Sequence, residues 1–220
     1  MKSFNWDRFY ESFFGDPYIA WHDGLDVDAL NSLTGEEKEE AENLLLDALQ
    51  KTNDYRPIVG LGELRSKKAL PILKEKLDHL WGKTLVDAAS ALRKIENDDS
   101  YAEKIILVLK NDASFYNRLV AAIELRHFNT PEIVKALFDA VKDPEYLVRN
   151  HACESLLFLH GFKPEIAEHE EVFQNITTPQ GLGSVPTEDD VKRYESAIIQ
   201  LKDLFKSKES YSDQLTSQNK

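Results

Sequence analysis

The chain has 220 residues, of which 42% are hydrophobic and 30% charged, so it is long enough to bury a core without disulfide staples and too apolar to stay disordered. Its 39 acidic residues against 27 basic ones leave a formal net charge of −12, which argues against a nucleic-acid partner and favours a basic protein partner. A single cysteine, Cys153, excludes an intramolecular disulfide, and no Cys/His spacing suits a structural metal, so neither a metal nor a cofactor is expected.

From the amino end, Met1 to Arg8 mixes polar and aromatic residues without the apolar run and cleavage site of a signal peptide. No window approaches the roughly 18 apolar residues of a membrane span, so a cytoplasmic protein without a membrane partner is expected. Trp6, Phe9, Tyr10, Phe13 and Phe14 recur at helical spacing and predict an amino-terminal capping helix within residues 1–35. Thr34 followed by Glu37 reads as a capping box, and Thr130 before Pro131 as a second helix start. Between them and beyond, helical periodicity predicts first helices over Glu36–Gln50, Lys67–Leu77, Tyr101–Leu109 and Pro131–Val141. Second helices are predicted over Tyr55–Arg65, Leu85–Ile95, Phe115–Arg126 and Leu147–His160. Strand signals are nearly absent, so the fold class is all-α.

The second helices share a string of two small residues, two variable ones and a leucine: Ala88-Ala89-Ser90-Ala91-Leu92, Ala121-Ala122-Ile123-Glu124-Leu125 and Ala152-Cys153-Glu154-Ser155-Leu156. Gly60-Leu61-Gly62-Glu63-Leu64 fits more loosely. The anchor leucines are about 28, 33 and 31 residues apart, the period of a stacked repeat. A second mark recurs at a fixed offset. Asp112 lies before Arg118 and Asp143 before Arg149, and each Asp is expected to bond free amides at the next helix start while the Arg of the same copy reaches back to its carboxylate.

Pro131 to Leu137, Asp143, Val148-Arg149 and Ala152 to Leu156 together resemble HEAT repeats of the phycobilin-lyase type. The resemblance spans residues 36–161. It implies a short right-handed α-solenoid of about four helix pairs, with the second helices lining a concave side. Copy two departs from the pattern, with Thr84-Leu85 where the family pattern has Val-Arg.

After the repeats, residues 162–186 read as a loop-rich connection, and Thr187 opens a carboxyl-terminal cap helix over 187–207 with the stripe Val191, Tyr194, Ile198, Leu201 and Phe205. Residues 1–207 are then one domain, and 208–220 a polar, disordered tail. The sequon Asn175-Ile176-Thr177 has no role in a cytoplasmic protein. Gly181-Leu182-Gly183-Ser184 lacks the strand, third glycine and Lys of a phosphate-binding loop.

No catalytic constellation emerges. Cys153 sits at a packing position, His151 two positions earlier diverges from it because each helical step turns by about 100°, and His160 and His169 lack metal-ligand spacing. The protein is therefore expected not to be an enzyme, although the resembled family includes bilin lyases and alkylpurine DNA glycosylases. On the implied concave side the second helices contribute Glu63, Asp87, Glu124 and Glu154, an acidic column expected to bind a basic partner. The reading is a cytoplasmic immunity or inhibitor protein that masks a toxin. The alternatives are a general adaptor or assembly scaffold, and an enzyme acting on a bilin or a nucleobase.

Overall fold

The computed structural model describes residues 2–177 and 185–218, with side chains through residue 208. The turn Gly181 to Ser184 lies outside the described residues. Among those described, every regular element is helical. The chain divides into two compact units, Met1–Ile105 and Ile106–Lys220, where the sequence reading has one domain over residues 1–207.

In the first unit, α1 (Phe4–Phe14) begins at Ser3, whose hydroxyl accepts from the Trp6 amide. Its stripe splits as an amphipathic helix must: Trp6, Phe9 and Phe13 are buried, and Tyr10 is exposed. Two short helices follow, α2 (Pro17–Asp23) capped by Asp16 and α3 (Val27–Asn31) capped by Asp26. The helix pairs then begin with α4 (Gly35–Lys51) and α5 (Tyr55–Glu63), followed by α6 (Leu70–Leu77), led in by a 3-10 turn, and α7 (Gly82–Glu96). The expected Thr34–Glu37 box does not form. Thr34 makes no side-chain capping bond, and Glu37 instead accepts from the Ser3 amide and hydroxyl at 2.7 and 2.6 Å, tying the start of α1 to α4.

The loose first copy of the repeat string owes its glycines to close packing. A methyl at Gly62 would stand 2.8 Å from both Cα and Cβ of Ala91, so α5 and α7 touch almost backbone to backbone. A methyl at Gly60 would meet the Phe13 ring and the Leu45 methyls. Leu45, Leu49, Ile58, Leu61, Leu73 and Leu92 fill the remaining core of this unit.

α8 (Ala102–Asn111) contains the boundary between the units. The second unit continues with α9 (Phe115–Glu124) and its 3-10 extension, α10 (Pro131–Ala140) and α11 (Tyr146–Leu159). α9 and α10 both pack on α11. Ala121, Ala122, Ala152 and Cys153 are fully buried, and the Ser155 hydroxyl donates to the Ala122 carbonyl at 2.7 Å. Small side chains thus let α9 and α11 approach while Leu125 and Leu156 fill the space beside them.

The stretch 162–186, read as loop-rich, contains a helix. α12 (Glu170–Ile176) buries Val172 and Ile176, an i, i+4 pair too short to show as a period. It packs against α13 (Glu188–Gln218). Tyr194, Leu201 and Phe205 of the expected stripe are buried, joined by Ala197, whereas Val191 is 39% exposed. At the start of α13, Thr187 and Asp190 form a reciprocal cap: the Asp190 amide donates to the Thr187 hydroxyl, and the Thr187 amide and hydroxyl donate to the Asp190 carboxylate. The helix runs on to Gln218, through the stretch read as a tail, which contains no glycine or proline to stop it.

Candidate binding surfaces

The second helices of the carboxyl-terminal unit are positioned by arginines whose partners differ from the sequence expectation. Arg118 donates through Nε and Nη2 to the Asp143 carboxylate at 2.7 and 2.9 Å, and through Nη1 to the carbonyl oxygens of Asp112 and Ala113. Arg118 therefore reaches back to the carbonyl of the Asp in its own copy, and the carboxylate of the following copy closes the link. Asp143 also accepts from the Glu145 amide, and Asp112 from the Ser114 amide, so the expected amide bonding is present in both.

Arg149 occupies the same position one repeat later and is fully buried. Nη1 donates to the carbonyls of Asp143 and Pro144, Nε donates to the Ile176 carbonyl at 2.9 Å, and the guanidinium lies 4.3 Å from the centre of the Tyr194 ring. The final arginine thus fastens the terminal helices onto the last repeat.

On this frame the four expected partner-binding carboxylates fall as two pairs on packed second helices. Glu63 ends α5 and accepts from Lys94 of α7 at 2.6 Å, and Asp87 of α7 accepts from Lys83 at 2.7 Å. In the other unit Glu124 ends α9, while Glu154 of α11 bonds the His151 ring at 2.9 Å. In the amino-terminal unit the structure thus sets a lysine beside each carboxylate of the pair.

The residue that reading missed is Arg126. It lies in the 3-10 turn after α9, donates to the Ser155 hydroxyl and reaches toward the exposed Phe158 ring. Burial pushes its guanidinium below the ordinary arginine value, and the charges of Glu154 and Glu124 oppose that shift. A helix assumed to run straight through Arg126 gave no signal that this side chain turns inward to Ser155.

The other chemical candidates have structural places. Burial pushes the Cys153 thiol far up, which keeps it protonated and inert. His160 stacks on Phe205, with ring centres 3.8 Å apart, and His169 lies edge-on to Phe162. The Asn175 amide donates to Gln200 of α13. Among the described residues there is no group of three or more His, Cys, Asp or Glu placed to hold a metal ion. No described helix is long and apolar enough to cross a membrane.

Comparison with known proteins agrees with the repeat architecture. Residues 102–167 match the family model described as HEAT repeats, the stretch containing the Arg118 and Arg149 links. No curated protein and no solved structure matches the chain. Residues 102–167 are thus similar to HEAT repeats, which are commonly protein-interaction modules.

Proposed function

We propose that the protein is a non-catalytic, cytoplasmic binding module that takes a basic protein partner on the carboxylates of its second helices, and that it acts as an inhibitor or immunity protein masking a toxin. The observation that carries this reading is the placement of Glu63 with Asp87, and of Glu154 with Glu124, on second helices that pack against each other within each unit. Their present cations are replaceable. Lys94 and Lys83 remain 39% and 30% exposed, and pairs of this kind contribute about 1 kcal/mol or less, so exchange for a partner's arginine costs little. A chain carrying −12 also draws a basic partner toward it before contact.

The test is capture from the source cell followed by association kinetics of wild type and of Asp87→Lys with Glu124→Lys. The expected outcome is a basic toxin among the captured proteins, an association rate that falls steeply with salt, and a slower rate for the double variant. Unchanged rates at low and high salt would remove the carboxylates from the interface. A captured partner that stays fully active when bound would make the protein a scaffold instead of an inhibitor.

A further inference from the structure

We propose that the amino-terminal unit carries a second interaction surface, a cleft between α1 and α2 that receives a lysine or arginine side chain from an extended segment of a basic protein partner. It lies apart in the sequence from Glu63, Asp87, Glu124 and Glu154 and requires none of them.

The first observation is α2 itself. This seven-residue helix buries only Ala20, while Tyr18, Ile19 and Trp21 are 65%, 50% and 62% exposed. A helix with more apolar surface outside than inside gains little from folding onto its own chain, and exposed tryptophan and tyrosine are the side chains that most often anchor partners. α2 is nonetheless held in place. The Tyr55 hydroxyl donates to the Ala20 carbonyl and Arg56 to the Gly15 carbonyl, each at 3.1 Å, so the face is presented on a fixed support.

The second observation is the depression of about 580 Å³ between this helix and α1. It falls within the roughly 300–1,000 Å³ of clefts that hold ligands. Ile19, Ala20 and Leu25 make its apolar part, and Asp7, Glu11, Asp23 and Asp26 are its carboxylates. Arg8 is already committed to Asp26 at 2.6 Å, and Asp26 also caps α3. Asp7 and Glu11 differ. They stand at i, i+4 on α1, where like charges repel, and among the described residues neither enters an ion pair. An aliphatic stem lying on Ile19 and Leu25 would bring a cationic head to these two carboxylates and turn their repulsion into attraction. Lysine and arginine combine those two properties in one side chain.

The experiment uses the full chain, labelled with nitrogen-15, and two capped pentapeptides: an arginine flanked by leucine and alanine, and the same peptide with glutamate in its place. The arginine peptide is expected to shift amides of residues 7–12 and 19–26 and to bind about tenfold or more weakly to Asp7→Lys with Glu11→Lys, the loss of a charge-assisted contact. The glutamate peptide should shift none of them. Asp7→Asn with Glu11→Gln gives a second reading if charge reversal disturbs α1, and circular dichroism checks that each variant is folded. Glu63→Lys with Asp87→Lys should bind the arginine peptide as wild type does, which separates this surface from the acidic column. Equal shifts from the glutamate peptide, shifts confined elsewhere, or none up to the solubility limit would overturn the proposal. A concentration-dependent dimer abolished by Trp21→Ala would also overturn it, assigning the face to a second copy of the chain.

Discussion

Arg118 and Asp143 form a bidentate ion pair between successive repeats, with side chains only 11% and 8% exposed. At that burial neither group is well hydrated once its partner is gone. Arg118→Ala or Asp143→Ala is expected to cost about 2–4 kcal/mol in urea unfolding, and the double-mutant cycle to give a coupling of about 1–3 kcal/mol. A coupling near zero would reduce the pair to the rank of a surface contact.

Arg149 satisfies three carbonyl oxygens, those of Asp143, Pro144 and Ile176. Arg149→Leu leaves the Ile176 carbonyl buried without its donor, at a cost of about 1–3 kcal/mol. It also removes the guanidinium from the Tyr194 face, so amides of α13 should exchange with deuterium faster while those of α9 change little. Uniform acceleration in both helices would mean that the arginine holds up the whole unit and not the terminal helices in particular.

Gly62→Ala should destabilise the amino-terminal unit by about 1–3 kcal/mol, because the added methyl meets backbone at Ala91. Gly60→Ala should cost less, since it meets the movable ends of Phe13 and Leu45. Urea midpoints that reverse this order would show the α5–α7 contact to be looser than the structure has it.

Two helix ends depend on ionised carboxylates. The Ser3 hydroxyl and amide hold Glu37 below its usual value, and the Thr187 amide and hydroxyl do the same for Asp190. A depressed folded pKa means stability that is fully present above the unfolded value, near 4.3 for Glu and 3.9 for Asp. It is lost as pH falls through the lower folded value. Glu37→Gln and Asp190→Asn should therefore flatten the acid limb of the stability curve and matter most near neutral pH. An acid limb unchanged in both variants would assign it to other carboxylates.

The repeat register was legible because small residues at a fixed distance from a leucine leave a periodic trace, and helix starts from Tyr55 to Pro131 fall within a few residues of their expected places. Pairing was not legible. Arg118 sits at a fixed offset from Asp112, and sequence alone makes the nearer carboxylate the natural partner, whereas stacking brings Asp143 to it. Glu37 was lost to Ser3 for the same reason, since a contact 34 residues away leaves no local pattern. Of the expected column, helix membership could be read from the sequence, but Lys94 came beside Glu63, and Arg126 beside Ser155, only through the folding of the chain, whereas Lys83 stands four residues before Asp87 on the same helix.

The arginine links also determine how the carboxyl-terminal unit tolerates change in length. Arg118 takes an Asp from the copy that follows, and Arg149, in the last copy, takes the Ile176 carbonyl as terminator. A tandem duplication of residues 112–142 would give Arg118 the inserted Asp and give Asp143 the inserted Arg, leaving Arg149 and its backbone acceptor as they are. Duplication of a segment that includes Arg149 would place a terminator in mid-array, with one copy lacking Ile176. The unit is thus extensible upstream of Arg149 and closed downstream of it.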